Sequence, residues 1–398
     1  MTSEPAPAKY RIAKRVQQIP ASGIRKFFDL LASMDGVISL GVGEPDFVTP
    51  WTIREAAIYS ITSGQTMYTS NYGTVELRTA IARHLERRYG LSYDPLREIL
   101  VTVGVSEALD LSLRALLDPD DEVLMPDPCY VSYMPCAVLA GGVPVPVPTG
   151  IENDFRLMAS DVEERITGSS KVLLMGYPSN PTGAVMPRAD LLQIADVVRR
   201  RDLLVVSDEI YDRLVYETEH TCFAALPGMR ERTVLLGGFS KAYAMTGWRV
   251  GYAAAPAEVV EAMMKVHQYV TMCASTMSQA AAVEALQRGE DHVEEMRESY
   301  DHRRRFMVKS LNDMGLTCFN PRGAFYAFPS IQSTGMTSEA FAEQLLMEEK
   351  IAVVPGSAFG SRGQGFVRCC YATSMDEIKE AADRMARFVE RHRVYPAK

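Results

Sequence analysis

The stretch Gly237-Gly238-Phe239-Ser240-Lys241-Ala242-Tyr243-Ala244-Met245-Thr246-Gly247-Trp248-Arg249-Val250-Gly251 sits between two β-type runs, Thr233 to Leu236 (TVLL) and Val250 to Ala255. A Gly-rich segment in that position reads as a loop at the end of a strand. Loops held by a rigid sheet are where chemistry concentrates. This one carries a single lysine, Lys241, beside the hydroxyl of Ser240, and then Arg249 after Thr246-Gly247-Trp248. A lysine whose pKa is lowered by burial and nearby cations forms an imine with a carbonyl. An arginine and a serine hydroxyl hold a phosphate. Pyridoxal phosphate requires both together. A lysine in a Gly-rich loop is also, commonly, a solvated surface residue, so the stretch alone leaves both readings open.

Working upstream, Leu203 to Ser207 is a continuous apolar run, as expected for the middle of a parallel sheet, and it delivers Asp208-Glu209-Ile210-Tyr211. An acid at the end of a buried strand is costly without a partner. Asp190 to Arg201 is an amphipathic helix. Before it, the strand Lys171 to Met175 ends in Tyr177-Pro178-Ser179-Asn180-Pro181-Thr182-Gly183, a proline-bounded turn that fixes one amide side chain. Ile99 to Val103 is a strand followed by Gly104-Val105-Ser106 and a helix with Leu109, Leu113, Leu116 and Leu117 on one face. A Gly turn opening a helix presents free N–H groups to a phosphate. Cys129 to Ala140 reads as helical. Val143 to Val147 is a strand whose prolines place it near an edge. Alternating strands and helices imply parallel βαβ units. Ligands in such sheets bind at the carboxyl ends of the strands, where Asn180, Asp208 and Lys241 all fall.

Beyond Tyr252 the alternation stops. Helical patterns run from Ala257 to about Met314. The strand Phe325 to Phe328, a helix from Ser338 to Glu348 and the strand Ile351 to Val354 follow. A Gly-rich segment, the strand Phe366 to Tyr371 and a last helix complete the chain. That helix opens with a capping box, Ser374 to Glu377, and its apolar face is Ile378, Ala381, Ala382, Met385, Phe388 and Val389. At the other end, residues 1 to about 20 read as a loosely held arm, Ile24 to Leu31 as a short helix, and Val37 to Phe47 (VISLGVGEPDF) as a strand running into Gly41-Val42-Gly43. Thr66 to Arg78 is turn-rich before a helix with a solvated basic face at Arg83, Arg87 and Arg88.

The chain of 398 residues is 47% apolar with net charge −8, the balance of a globular protein and not of a nucleic-acid surface. No apolar run approaches the roughly 18 residues of a membrane span. The start, MTSEPAPAKY, has no apolar signal core. The seven cysteines include no CxxC pair and the histidines no HExxH, so neither a metal site nor a disulfide framework is expected. Reduced thiols point to the cytoplasm.

Six motifs in fixed order then define a likeness: GVGEPDF, YTSNYG with ELR, YPSNPTG, SDEIYD, SKAYAMTGWRVGY and VRCCYATS. The chain resembles the class I aminotransferases of the pyridoxal-phosphate fold type I superfamily, in the aspartate and aromatic branch, from about Ser22 to Met385. The resemblance implies an α/β fold: a large domain over residues 49–290 with a mostly parallel central sheet flanked by helices, and a smaller α+β domain over 291–398, to which residues 1–48 contribute beside the arm. It implies an amino acid aminotransferase that moves an amino group to a 2-oxo acid such as 2-oxoglutarate by a ping-pong route, with aspartate or an aromatic amino acid as donor.

Residue by residue, the resemblance makes Lys241 the imine-forming and proton-moving catalytic group. Asp208 pairs with the pyridine nitrogen. Asn180 and Tyr211 bond the phenolic oxygen, and Tyr130 stacks on the ring. The phosphate is held by the N–H groups of Val105 and Ser106, the hydroxyls of Ser106 and Ser240, and Arg249, with Tyr68 reaching it from the other subunit of a homodimer. Arg368, aided by Gly43 and Asn180, grips the substrate carboxylate. Val105 replaces a frequent glycine, and Gly238 a frequent serine. Cys369 and Cys370 follow Arg368 where small hydroxyl residues are common, and they and Cys129 are read as packing residues. A β-lyase or decarboxylase would share the lysine, aspartate and arginine. A regulator built on the same fold would carry a DNA-binding module ahead of Ser22, and the roughly twenty residues there and the negative charge argue against that expectation.

Overall fold

The computed structural model describes residues 11–19 and 34–394. The helix expected over Ile24 to Leu31 lies outside them. Twelve strands follow in chain order: β1 (Ile38–Ser39), β2 (Ile99–Thr102), β3 (Glu122–Asp127), β4 (Val143–Pro148), β5 (Ser170–Gly176), β6 (Leu204–Asp208), β7 (Thr233–Gly238), β8 (Gly251–Ala254), β9 (Tyr326–Ala327), β10 (Ile351–Ala352), β11 (Val354–Pro355) and β12 (Val367–Cys370).

β2 to β8 form one sheet in the order β2-β8-β7-β6-β5-β3-β4. β4 is at the edge, as its prolines require, since the missing N–H groups there cost no ladder bonds. Val172 to Met175 and Val205 to Asp208 are buried throughout, which is why the strand interiors read without apolar-polar alternation. The pairs β7–β6, β6–β5, β5–β3 and β3–β4 are parallel. β8 runs antiparallel to both β2 and β7. The reason lies in the connection: the Lys241 loop joins β7 to β8 without a crossover helix, so the chain turns straight back.

Helices pack on the sheet by their apolar faces. Gly104–Leu116 buries Leu109 and Leu113, and Arg188–Arg200 buries Leu191, Ile194, Ala195 and Val198. The helix expected from Cys129 begins only at Tyr133 and ends at Leu139. The Cys129 N–H instead donates to the Phe359 carbonyl at 2.9 Å, which keeps Cys129 and Tyr130 in a loop over the strand ends.

A second group of elements follows β8. β11, β12 and β9 form an antiparallel sheet, and β1 pairs in parallel with β10. Around them the helices Glu290–Asp313, Ser338–Glu349 and Met375–His392 close a core of Tyr300, Leu311, Phe341, Leu345, Ile378 and Phe388. The last helix buries the six apolar residues read from its pattern. Its cap is half of a capping box. Ser374 Oγ accepts the Glu377 N–H at 3.2 Å, but the Glu377 carboxylate accepts from the Ser374 hydroxyl, also at 3.2 Å, and not from the backbone. Among the described residues, no helix is long and apolar enough to cross a membrane.

Candidate active site

The carboxyl ends of β5, β6 and β7 deliver Asn180, Asp208 and the Ser240-Lys241 pair to one cavity of about 620 Å³. Val105 and Ser106 line it from the start of the Gly104–Leu116 helix. Gly43, Tyr130, Tyr211 and Arg249 come from loops, and Arg368 from β12. Of the residues singled out in the sequence, only Tyr68 is elsewhere: it is 83% exposed and outside the cavity.

Lys241 is half-buried, and its Nζ donates to the Gly43 carbonyl at 2.6 Å. Burial lowers its pKa from about 10.5 to about 8, and the positive charges of Arg368 and Arg249 push the same way. The neutral amine that imine chemistry requires then accumulates around pH 8 instead of around pH 10.

Asp208 is buried and pairs with no cation among the described residues. Oδ2 accepts from the Tyr133 hydroxyl at 2.9 Å and Oδ1 from the Ile210 N–H at 3.2 Å. Burial raises its carboxyl to about 6 against those bonds. A buried carboxylate so placed is a receptor for a cation from a ligand.

A candidate anion cradle depends on a glycine at the start of the Gly104–Leu116 helix. Gly104 has φ +74°, and a Cβ on it would lie 2.6 Å from Arg249 Nη2. Only glycine lets the guanidinium close over the helix N-terminus, where the dipole and free N–H groups attract an anion. Arg249 itself has φ +50° and donates to the Thr246 carbonyl at 2.9 Å.

Arg368 is buried on β12. Nη1 donates to Asn180 Oδ1 at 2.8 Å and Nη2 to the Gly41 carbonyl at 2.6 Å. The guanidinium lies over the rings of Tyr326 (4.5 Å) and Phe359 (4.9 Å). Its Nε is buried without a partner among the described residues. An arginine held rigidly with one donor unspent is prepared for a carboxylate.

Two residues of the site escaped the sequence reading. Tyr133 bonds Asp208, and Tyr326 meets the Tyr211 hydroxyl at 2.7 Å. Cys369 and Cys370 are buried. The Cys370 thiol is pushed up to about 11 by burial and stays protonated beside Arg368.

An amine poised for an imine, an anion cradle, a buried carboxylate lacking its cation and an aromatic side chain in the same cavity fit pyridoxal phosphate. The orphaned Arg368 donor fits an amino acid carboxylate. Known proteins agree. The family model described as aminotransferase class I and II matches residues 35–385. An aspartate aminotransferase of Pyrococcus abyssi is 48% identical over 94% of this chain and 97% of its own. Aromatic-amino-acid aminotransferase 2 of Thermococcus litoralis is 45% identical over 95% and 98%. The crystal structure of an aromatic aminotransferase from Pyrococcus horikoshii superposes with a TM-score of 0.89 at 46% identity, covering 92% of this chain and 99% of the other. The chain belongs to the class I and II aminotransferases and is a fold type I, pyridoxal-phosphate-dependent transaminase.

Proposed function

We propose that the protein moves an amino group from an L-amino acid, with aspartate or an aromatic amino acid as donor, to a 2-oxo acid such as 2-oxoglutarate in a ping-pong cycle. The observation that carries this reading is that Lys241 and Arg368 line one cavity, which puts an amine able to carry a proton and a guanidinium able to clamp a carboxylate within one binding space.

Pyridoxal phosphate, when bound, supplies the carbonyl that captures the amine and the ring that takes up electrons from the Cα–H bond. The residues of this chain do the rest. Arg368 fixes the substrate carboxylate, and Asn180, already bonded to it, orients the fork while its own amide N–H groups stay available to the phenolic oxygen with the Tyr211 hydroxyl. Val105, Ser106, Ser240 and Arg249 anchor the phosphate. Tyr130 sets the plane of the ring, and Asp208 holds the proton on its nitrogen. Lys241, with its lowered pKa, accepts the Cα proton and returns it at C4′.

We further infer a homodimer whose partner subunit adds Tyr68 to the phosphate site. The large apolar side chains left exposed at Trp51, Tyr59, Met67, Tyr68, Tyr269 and Val270 support it. The division at about residues 48 and 290 into a large and a small domain puts Arg368 and Lys241 on different bodies, so that substrate binding draws them together. Seven free thiols support a cytoplasmic location.

The test is a half-reaction panel. Each amino acid is added alone to the yellow holoenzyme and loss of visible absorbance is followed, with the 2-oxo acid product identified. Aspartate or aromatic donors should bleach the cofactor in stoichiometric amount without release of ammonia. Bleaching by neither class, or ammonia release, would contradict the reading.

A further inference from the structure

Gly176, the last residue of β5, lies between Tyr133 and Asp208. A Cβ built on it would sit 2.2 Å from the Tyr133 hydroxyl oxygen and 3.3 Å from Asp208 Cβ. Only a residue without a side chain leaves the phenol room to reach the carboxylate. Tyr133 opens the Tyr133–Leu139 helix, is 3% exposed, and meets the Tyr130 ring edge-on at 5.6 Å. Its hydroxyl and the Ile210 N–H hold the two oxygens of Asp208 separately, so the carboxylate cannot rotate without breaking one of them. Glu209 and Lys241 are the charged groups acting on Asp208 from the rest of its surroundings. The Glu209 carboxylate is taken up by Ser207 Oγ at 2.7 Å and His220 Nε2 at 2.5 Å, and Lys241 Nζ by the Gly43 carbonyl. Tyr133 is therefore the one side chain among the described residues that donates to Asp208.

We propose that Tyr133 is a positioning residue for the cofactor's ring nitrogen: seated against Gly176, its hydroxyl fixes the orientation of Asp208 and favours the ionised carboxylate. The proposal rests on Asp208 being the partner of that nitrogen. A hydrogen bond to a carboxylate stabilises its charged form. Without it, only the Ile210 N–H and the charge of Lys241 oppose burial, and Asp208 becomes protonated at higher pH. Burial also holds the Tyr133 phenol well above the ordinary tyrosine range, chiefly through loss of solvation, so it remains a donor throughout.

The experiment measures retention of pyridoxal phosphate by diluted holoenzyme after ultrafiltration, from about pH 5 to 9, the span over which Asp208 and Lys241 titrate. Wild type, Tyr133→Phe, Gly176→Ala and Asp208→Asn are compared. Tyr133→Phe removes only the hydroxyl. Gly176→Ala keeps both partners and forces them apart. In both, cofactor affinity at neutral pH should fall about tenfold, the loss of one hydrogen bond to a charged group, and the pH below which affinity is lost should move up. Lys241 contributes equally in all four proteins. Weakening without a displaced acid limb would make Tyr133 a packing residue and overturn the proposal, as would affinity within twofold of wild type. If Tyr133→Phe fails to fold, Gly176→Ala decides by the same two criteria. An Asp208→Asn protein with the wild-type profile would instead remove the Asp208 assignment, an outcome distinct from failure of Tyr133.

Discussion

Arg368 Nη1 donates to Asn180 Oδ1 at 2.8 Å, joining a strand of the small antiparallel sheet to the turn after β5 across 188 positions of sequence. The contact couples the group proposed to grip the substrate carboxylate to the amide proposed to face the cofactor. The two roles share a single geometry.

Arg368→Lys keeps the charge and loses the fork. A lysine cannot serve the Asn180 amide, the Gly41 carbonyl and a carboxylate at once, and it gives up the planar stacking on Tyr326. With a charge-assisted bond worth roughly 1.5–3 kcal/mol, kcat/KM should fall about ten- to a hundredfold. Because every donor has an α-carboxylate, steady-state kinetics should show similar losses for aspartate, phenylalanine and alanine. A loss confined to aspartate would mean that Arg368 reads the side chain.

Lys241 sets a pH dependence. Its pKa of about 8 lies below that of a free lysine because burial disfavours the ammonium. The neutral amine therefore accumulates as pH rises through 8 and not through 10. Capture of pyridoxal phosphate, trapped with borohydride and mapped by peptide mass, should quicken up to about pH 8 and level off above it, with the label on Lys241. A rate still climbing toward pH 10, or label on another lysine, would contradict the site. Lys241→Ala should retain cofactor non-covalently and lose most transamination.

Lys241, Asp208 and Asn180 were legible because each follows a run that can only be a buried strand, and the ends of parallel strands share one side of a sheet. Arg368 was legible through its motif alone. Its partners Gly41 and Tyr326 lie far away in sequence and came only with the fold. Tyr133 was hidden twice, inside a segment read as uniformly helical and 75 positions from Asp208. No helical spacing could have exposed it, because Tyr130 lies in a loop and the helix begins only at Tyr133. The direction of β8 was not assigned from the sequence, and it follows from the connection: no helical segment stands in the Lys241 loop to carry a crossover, so β8 returns antiparallel to β7.

The shared site predicts complementation. Tyr68 is 83% exposed and outside the cavity that every other expected residue lines. Tyr68→Ala and Lys241→Ala should each be impaired alone. After mixing under conditions that exchange subunits, one of the two sites of each mixed dimer carries both intact residues, and part of the activity should return. A species sedimenting as a fully active monomer would refute the shared site.

The cradle predicts the effect of one methyl group. Gly251, in β8, has no unusual φ, so its lack of a side chain serves space and not conformation. A Cβ there would lie 2.8 Å from both the Gly104 carbonyl carbon and the Val105 nitrogen, and backbone atoms cannot swing aside as a side-chain tip can. Gly251→Ala must therefore move the start of the Gly104–Leu116 helix, whose N–H groups are proposed to hold the phosphate. Overpacking of this kind costs about 1–3 kcal/mol of stability, and a displacement on the order of 1 Å costs about a hundredfold in function. Thermal unfolding of the holoenzyme should shift downward, and the dissociation constant of pyridoxal phosphate should rise at least tenfold. Gly168→Ala, where an added Cβ meets nothing within 4 Å, should change neither. Should Gly251→Ala lose stability but bind pyridoxal phosphate as tightly as wild type, the helix N-terminus would not be holding the phosphate, and Arg249 with Ser240 would have to carry it alone.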